Sequence, residues 1–250
     1  MASHFDSFEK NLKVIVIGAT GGLGKAFVSL LSEDKNVEHI HALSRSSTKF
    51  ESQKVTEGAI DIREETSVEQ AASLCLADGP ADIILVTTGF LHNEAEDIWP
   101  EKALRDISTN GFANAFAINT VGPALIAKHF LKNLDKGRPC LFAAISARVG
   151  SISDNQLGGW YAYRASKAAL NMVLKTTSIE IRRKYKKAMI VGLHPGTVDT
   201  SLSKPFQGHV PNGKLFTPEH SARHLLNVIN TLKPENSGNT FAWDGTKIDF

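Results

Sequence analysis

A glycine-rich turn between an apolar strand and a helix limits the fold of this chain more than any other feature. Residues 13–17 read Lys-Val-Ile-Val-Ile, and apolar residues at helical spacing follow from Leu23 onward. The turn between them carries Gly18, Gly22 and Gly24. Glycines there permit positive φ and let a phosphate approach backbone amides at a helix N-terminus. The pattern predicts an α/β fold whose first turn binds the pyrophosphate of a dinucleotide.

Short apolar runs alternate with helical patterns along the rest of the chain. Further strands are predicted at residues 39–43, 58–61, 82–86, 140–145, 189–193 and 240–243. Further helices are predicted at residues 67–76, 114–131, 161–183 and 218–229. Strands that are apolar on both faces belong in a covered parallel sheet. We therefore expect a single-domain Rossmann fold over residues 1–250, with a doubly wound parallel sheet of about seven strands and helices on both faces.

Charge and cysteine content exclude several classes of partner. The chain has 28 basic and 26 acidic residues and a net charge of +2, so we expect neither nucleic acid nor a membrane as a partner. Residues 1–10 resemble neither a signal peptide nor a spanning segment, which predicts a cytoplasmic protein. Cys75, Cys140 and the histidines lack the spacing of a metal site, so no metal is expected.

The residues that follow the second and third predicted strands indicate how the adenosine part of a dinucleotide would be bound. Ser44 and Arg45 follow the second strand, where an acidic residue usually holds the ribose hydroxyls. An arginine beside a hydroxyl suits a 2′-phosphate better, which favours NADP(H). NAD(H) stays open, because Arg45 is also compatible with a plain exposed loop. Asp61, followed by Ile62, lies just past the third strand, where its carboxylate could accept a hydrogen bond from the adenine amino group.

Tyr163 and Lys167 are four residues apart on a predicted helix, so the phenol and the amine share one face. A fixed ammonium favours the phenolate and is expected to lower the pKa of Tyr163 from about 10 toward neutrality. Such a phenol can act as a general acid. Taken alone, the same spacing also fits a surface pair on an amphipathic helix, so the function of the pair depends on the rest of the chain.

The glycine-rich turn, followed in order by this Tyr/Lys pair, resembles the short-chain dehydrogenase/reductase family over nearly the whole chain. Residues 146–151 and 158–161 are most similar to the subgroup that includes the bacterial C-factor proteins and the sniffer-type carbonyl reductases. The resemblance implies hydride transfer between a nicotinamide and a small carbonyl or alcohol substrate. It also implies subunit pairing through the helices around residues 113–131 and 161–183, and therefore a homodimer or a homotetramer.

The same resemblance implies four catalytic residues: Asn119, Ser146, Tyr163 and Lys167. In this family the tyrosine exchanges the proton, the lysine lowers its pKa and holds the nicotinamide ribose, and the asparagine supports a proton-conducting water. The serine orients the substrate oxygen. Many relatives carry two adjacent serines here, whereas this chain has Ala147 after Ser146. Ser151 and Ser153 therefore stay open as alternatives.

A larger set is implied to bind the cofactor. It consists of Gly18, Thr20, Gly21, Gly22, Leu23, Gly24, Ser44, Arg45, Asp61, Ile62, Thr88, Gly89, Asn119, Tyr163, Lys167, Pro195, Gly196, Val198 and Thr200. The loop at residues 201–217 corresponds to the family's substrate lid. Aromatic and apolar side chains could line a hydrophobic cleft for the substrate: Phe90, Leu91, Trp160, Tyr161, Phe206 and Phe216.

A second class of function competes with the oxidoreductase. The likeness to C-factor admits a dinucleotide-binding signalling protein with weak or no redox turnover. Such a protein would need the glycines of the turn but no proton donor, so the intact Tyr163 and Lys167 favour an enzyme. A sugar-nucleotide epimerase would need a large C-terminal substrate domain, and only about fifty residues follow Gly196, too few for a domain of ordinary size.

Overall fold

The computed structural model describes residue 5, residues 7–46 and residues 48–250; the remainder of the N-terminal segment discussed above lies outside the described part. The strands are β1 (Leu12–Ile17), β2 (Val37–Ser44), β3 (Val55–Ala59), β4 (Ile83–Val86), β5 (Cys140–Ile145), β6 (Ala188–His194), β7 (Thr197–Val198), β8 (Leu215–Phe216), β9 (Thr240–Ala242) and β10 (Lys247–Ile248). The α-helices are α1 (Gly22–Glu33), α2 (Glu65–Cys75), α3 (Thr109–Phe116), α4 (Gly122–Phe130), α5 (Tyr161–Lys184) and α6 (Pro218–Thr231).

Eight strands form the central sheet, in the order β10-β9-β6-β5-β4-β1-β2-β3. Every neighbouring pair from β3 to β9 is parallel, and β10 joins antiparallel to β9. The expected parallel sheet of about seven strands is therefore confirmed, and β10 is an added edge strand. Because the strand order reverses at β1, a crevice opens there at the carboxyl ends of the strands.

Helices cover both faces of the sheet, as expected. Along β1, Val14 and Val16 pack into a core shared with α1 and α6. Ile15 and Ile17 point the other way, into a core shared with α2, α4 and α5. Alternate side chains on a strand point to opposite faces, and burial on both faces explains why the strand is apolar throughout.

Two predicted boundaries differ from the structure. The third strand occupies Val55–Ala59 rather than residues 58–61, so Asp61 lies beyond it, on the loop that leads to α2. The helix predicted over residues 114–131 is divided into α3 and α4 by a π-helical turn at Ala117–Val121. Turns of this kind often occur at functional sites, and this one contains Asn119.

Residues 201–217 form an irregular segment beside the crevice. A short 3-10 helix, Lys204–His209, is followed by β8, which pairs in parallel with β7. Within the described residues, no helix is long and apolar enough to cross a membrane.

Candidate active site

A cavity of about 1030 Å³ lies along the carboxyl ends of β1, β4, β5 and β6. It is large enough for a dinucleotide fragment and a small substrate. All the residues predicted to bind the cofactor line it except Gly24 and Asn119, which lie behind its wall. Ser146 also lines it. The fold thus brings together residues that are far apart in the sequence.

The glycine-rich turn needs its glycines for different reasons. Gly18 has φ +88°, in the left-handed region, and a Cβ there would lie 2.7 Å from the Thr87 hydroxyl. A Cβ on Gly24 would lie 2.2 Å from the Gly18 carbonyl oxygen, so Gly24 permits the close approach of α1 to the turn. Gly21, the N-cap of α1, provides no side-chain cap. The first amides of α1 are therefore left for a ligand, and an anion suits them.

Two further features fit a bound dinucleotide. The Thr88 hydroxyl is buried without a hydrogen-bond partner, and Thr88 lines the cavity. A buried hydroxyl without a partner is unfavourable, which points to a ligand group beside it. A Cβ on Gly22 would lie 2.7 Å from the Thr200 Cγ2 atom, so the segment after Pro195 reaches back to the turn.

Three charged residues stand at the adenosine end. Asp61 accepts hydrogen bonds from Arg63, with Nη2 to Oδ2 at 3.1 Å. These bonds and, less strongly, the charge of Arg45 hold the pKa of Asp61 below its usual value. Arg45 and Arg63 both line the cavity, so a phosphate there would meet two guanidinium groups. Arg63 was missed from the sequence, although it directly follows Asp61 and Ile62.

Tyr163 and Lys167 line the same cavity, but their charges are not coupled as expected. The Lys167 ammonium donates a hydrogen bond to the Ile145 carbonyl at 2.7 Å and lies 5.8 Å from the centre of the Tyr163 ring. Burial raises the pKa of Tyr163 to about 12 and lowers that of Lys167 to about 7. The expected lowering of the Tyr163 pKa is thus wrong for the free protein, because loss of hydration outweighs the attraction of the amine.

We expect the Tyr163 phenolate to form only above about pH 11 in the free protein, since its pKa is raised to about 12. The measurement is the ultraviolet absorbance of phenolate against pH, taken as the difference between the wild type and Tyr163→Phe. The chain has only three tyrosines, so this difference is measurable. A Tyr161→Phe variant controls for the loss of one phenol. A midpoint below pH 10 for Tyr163 would contradict the expectation and show that the Lys167 charge dominates.

The structure separates the three candidate serines. The Ser146 hydroxyl donates to Asn171 Oδ1 at 2.7 Å, and Ser146 lines the cavity. Ser151 does not line it; its hydroxyl contacts the Ser153 hydroxyl at 3.3 Å and accepts from the Asp154 amide. Ser153 donates to the backbone carbonyl of the C-terminal residue at 2.9 Å. Of these three serines, Ser146 alone lines the cavity.

The Asn119 side chain links two segments behind the cavity through hydrogen bonds. Its Oδ1 accepts from the Phe90 amide at 2.8 Å, and its Nδ2 donates to the Phe90 carbonyl at 2.8 Å and to the Ser166 hydroxyl at 3.0 Å. Asn119 is fully buried. Its side chain thus joins the loop after β4 to the turn of α5 that carries Lys167.

The substrate end is more polar than expected, and two of the predicted aromatic side chains do not line it. Four predicted residues line it: Phe90, Leu91, Trp160 and Phe206. Tyr161 does not, and Phe216 packs outside it against Trp243, with ring centroids 4.7 Å apart. His92, Arg148 and His194 line the cavity but were not predicted to. Burial lowers the pKa of His194 to about 4, which keeps it neutral near pH 7.

Among the described residues, no group of three or more His, Cys, Asp or Glu side chains is arranged to hold a metal ion. Cys75 and Cys140 are both buried and unpaired with each other. Burial raises the pKa of the Cys75 thiol to about 11 and that of Cys140 to about 12, so neither favours the thiolate that binds metals.

Comparison with known proteins defines the class to which this site belongs. The family model described as short chain dehydrogenase matches residues 12–210. The chain belongs to the short-chain dehydrogenase family. The resemblance to this family inferred from the sequence is thus confirmed.

Two curated relatives and one solved structure refine the comparison. The chain is 35% identical over 178 residues to the C-signal protein of Myxococcus xanthus, covering 71% of this chain and 96% of that one. It is 30% identical over 243 residues to the 1-hydroxy-2-glutathionyl-2-methyl-3-butene dehydrogenase of a Rhodococcus strain, covering 95% and 99%. The fold is similar to NADPH-bound carbonyl reductase from chicken fatty liver, with a TM-score of 0.81, 23% identity and coverage of 97% and 100%.

Proposed function

We propose that this protein is an NADPH-dependent carbonyl reductase. The observation that carries the proposal is one cavity that is lined by the glycine-rich turn, Arg45, Tyr163 and Lys167. The bound nicotinamide would supply the hydride. The chain would hold the cofactor and the carbonyl compound, exclude water and deliver the proton.

Each catalytic side chain has a separate task in this proposal. Tyr163 donates its phenolic proton to the carbonyl oxygen, and its raised pKa keeps that proton in place at neutral pH. The Ser146 hydroxyl, at the end of β5, orients the same oxygen. Lys167, with its pKa lowered to about 7, holds the nicotinamide ribose hydroxyls from the floor of the cavity. Asn119 acts indirectly by fixing the Phe90 loop against α5.

NADPH is the proposed cofactor because two guanidinium groups face the adenosine end. Arg45 is exposed at the cavity edge and acts on Asp61, and Arg63 is hydrogen bonded to that carboxylate. A 2′-phosphate carries about two negative charges and accepts the fork of donors that arginine offers. The solved carbonyl reductase with the similar fold contains NADPH, which supports the same choice.

Reversing the charge at Arg45 should reverse the cofactor preference. We expect Arg45→Asp to weaken NADPH binding by about tenfold or more, because a charge-assisted hydrogen bond contributes roughly 1.5–3 kcal/mol, while NADH binding improves or stays unchanged. The measurement is the dissociation constant of each cofactor, from the fluorescence of the bound dihydronicotinamide. The exposed Arg223, which lies on α6 and does not line the cavity, gives the control Arg223→Asp. Retained preference for NADPH in Arg45→Asp would show that the selectivity comes from another residue.

The alternative is a dinucleotide-binding signalling protein, which the similarity to C-signal favours. Such a signalling protein would need the glycine-rich turn to bind the dinucleotide, but it would have no use for Tyr163 as a proton donor. One experiment distinguishes the two functions. NADPH and NADH are first titrated into the purified protein, and a panel of aldehydes, ketones and quinones is then added while absorbance at the nicotinamide band is followed. Carbonyl-dependent oxidation of NADPH supports the reductase; tight binding without turnover across the panel supports the signalling protein.

We also propose that the protein forms a homodimer or a homotetramer and that residues 201–217 serve as its substrate lid. Apolar side chains are exposed on α5 and beside α4, among them Val121, Met172 and Ile179. Such exposed apolar side chains suit a subunit interface.

A further inference from the structure

A row of aromatic rings runs from the proposed proton donor to the lid. The ring centroids of Tyr163 and Trp160 are 6.1 Å apart and their planes meet at 74°. Trp160 lies 5.2 Å from Phe206, and Phe206 lies 5.5 Å from His92, both edge to face. His92 in turn stacks on Trp99 at 5.4 Å. The first four of these rings line the cavity, and Trp99 lies outside it.

Trp160 is held in the row by an unfavourable backbone conformation. Gly158, Gly159 and Trp160 have φ of +65°, +64° and +52°, three consecutive left-handed residues. That region is rarely adopted by a bulky side chain, and an N-cap residue usually has an extended backbone instead. Strain of this kind persists only where surrounding contacts impose it, and it occurs mostly at functional sites.

The contacts that impose this conformation come from Glu101. The Trp160 amide donates to the Glu101 carbonyl oxygen at 2.6 Å. The Glu101 carboxylate is buried and accepts from the Ala162 amide at 3.1 Å, so it caps α5 in place of a local side chain. The chain thus uses a buried carboxyl group from a distant loop to start α5 with the indole turned into the cavity beside Tyr163.

The exposure of the rings and the charges next to them indicate what kind of ligand this row of aromatic rings would bind. Trp160 and Phe206 are only half-buried, so part of each ring is available to a ligand. Arg148 also lines the cavity, but its guanidinium is paired with Asp154 at 3.2 Å, which balances its charge. Edge-to-face contact between rings favours an aromatic group over an aliphatic group of equal area by about two- to twelvefold for each contact.

We propose that this site selects carbonyl compounds that bear an aromatic ring on the carbonyl carbon, and that Trp160 is the residue that selects them. The inference rests on the proposed reductase activity. With the substrate oxygen at the Tyr163 hydroxyl, the substituent on the carbonyl carbon lies along the row, against Trp160 and Phe206. The carbonyl carbon gains a hydride from NADPH, the C=O π bond breaks, and the oxygen takes the Tyr163 proton. An aryl ketone is thereby reduced to the alcohol, and NADPH is oxidised to NADP⁺.

The test compares 1-phenylethanone with 1-cyclohexylethanone, which have the same carbon skeleton with a flat or a puckered ring. The quantity measured is the ratio of kcat/KM for the two ketones with saturating NADPH, because differences in intrinsic reactivity cancel when variants are compared. We expect Trp160→Leu to lower the phenyl-to-cyclohexyl ratio about tenfold and Trp160→Phe to retain most of it. Trp99→Leu, which removes a ring outside the cavity, should leave the ratio unchanged.

Two further outcomes separate a change in substrate selectivity from a folding defect and from a lack of reductase activity. Asparagine tolerates the left-handed backbone conformation. Trp160→Asn should therefore lower the phenyl-to-cyclohexyl ratio as Trp160→Leu does, with a thermal midpoint near that of the wild type. A ratio unchanged in both Trp160→Leu and Trp160→Asn overturns the inference while leaving the reductase intact. If no carbonyl compound oxidises NADPH, the proposed reductase fails and the inference fails with it.

Discussion

Replacing Tyr163 by phenylalanine is expected to lower carbonyl-dependent oxidation of NADPH by about 10²–10⁴-fold, the usual contribution of a general acid. The variant keeps the ring that packs against Trp160, with centroids 6.1 Å apart, and loses only the hydroxyl. NADPH binding and the thermal midpoint should therefore stay close to the wild type. The measurements are kcat with the best carbonyl of the panel, cofactor fluorescence and thermal unfolding.

Tyr161→Phe is the matched control for this prediction. It makes the same chemical change two residues earlier on the same helix, at a position that does not line the cavity. Its turnover should stay within a factor of about two, since surface substitutions usually change free energies by less than about 0.5 kcal/mol. Near-normal turnover in Tyr163→Phe would show that Tyr163 is not the proton donor. Unfolding of the variant would show instead that the hydroxyl stabilises the fold.

Adding a single methyl group at Gly24 is expected to disturb the cofactor site strongly. The new Cβ would lie 2.2 Å from the Gly18 carbonyl oxygen and 2.9 Å from the Thr87 hydroxyl. The backbone must therefore shift, at a cost of about 1–3 kcal/mol. Because the shift falls on the turn that would hold the pyrophosphate, we expect NADPH binding to weaken by roughly 5- to 150-fold. Fluorescence titration gives the affinity, and urea unfolding gives the free energy of unfolding.

Gly208→Ala provides the control for Gly24→Ala. A Cβ at Gly208 meets no heavy atom within 4 Å, so both NADPH affinity and the free energy of unfolding should stay within about 0.5 kcal/mol of the wild type. If Gly24→Ala behaved like Gly208→Ala, the close approach of α1 to the turn would not be what forms the cofactor site.

Local patterns were sufficient to predict most of the fold. Apolar runs at β1, β4, β5 and β6 are continuous because those strands are covered on both faces, and the sequence displays this directly. The third strand was misplaced because Val55–Ala59 carries the polar residues Thr56 and Glu57. The edge strand β10 has two residues, too few for a periodic pattern, and it exists because β9 offers it a partner.

The π-helical turn and the conformation of Trp160 were beyond sequence reasoning. Residues around Asn119 have ordinary helical composition, and nothing local indicates a change of hydrogen-bonding pattern. In the structure the Asn119 side chain is bonded to Phe90 and Ser166, both distant in sequence. Trp160 likewise follows two glycines that permit many conformations, and the bond from its amide to the Glu101 carbonyl selects one.

The sequence by itself determined the class of fold, the order of its elements and the residue types available at the site. These features can be recognised without knowledge of the tertiary contacts, because they are local properties of the sequence: the glycine spacing, the apolar periodicity and the interval from Tyr163 to Lys167. Only the tertiary structure decided that Ser146 rather than Ser151 lines the cavity, and that burial, not the Lys167 charge, dominates the pKa of Tyr163. Exposure, hydration and hydrogen-bond partners depend on segments such as β5 and the loop of Glu101, which only folding brings to the site.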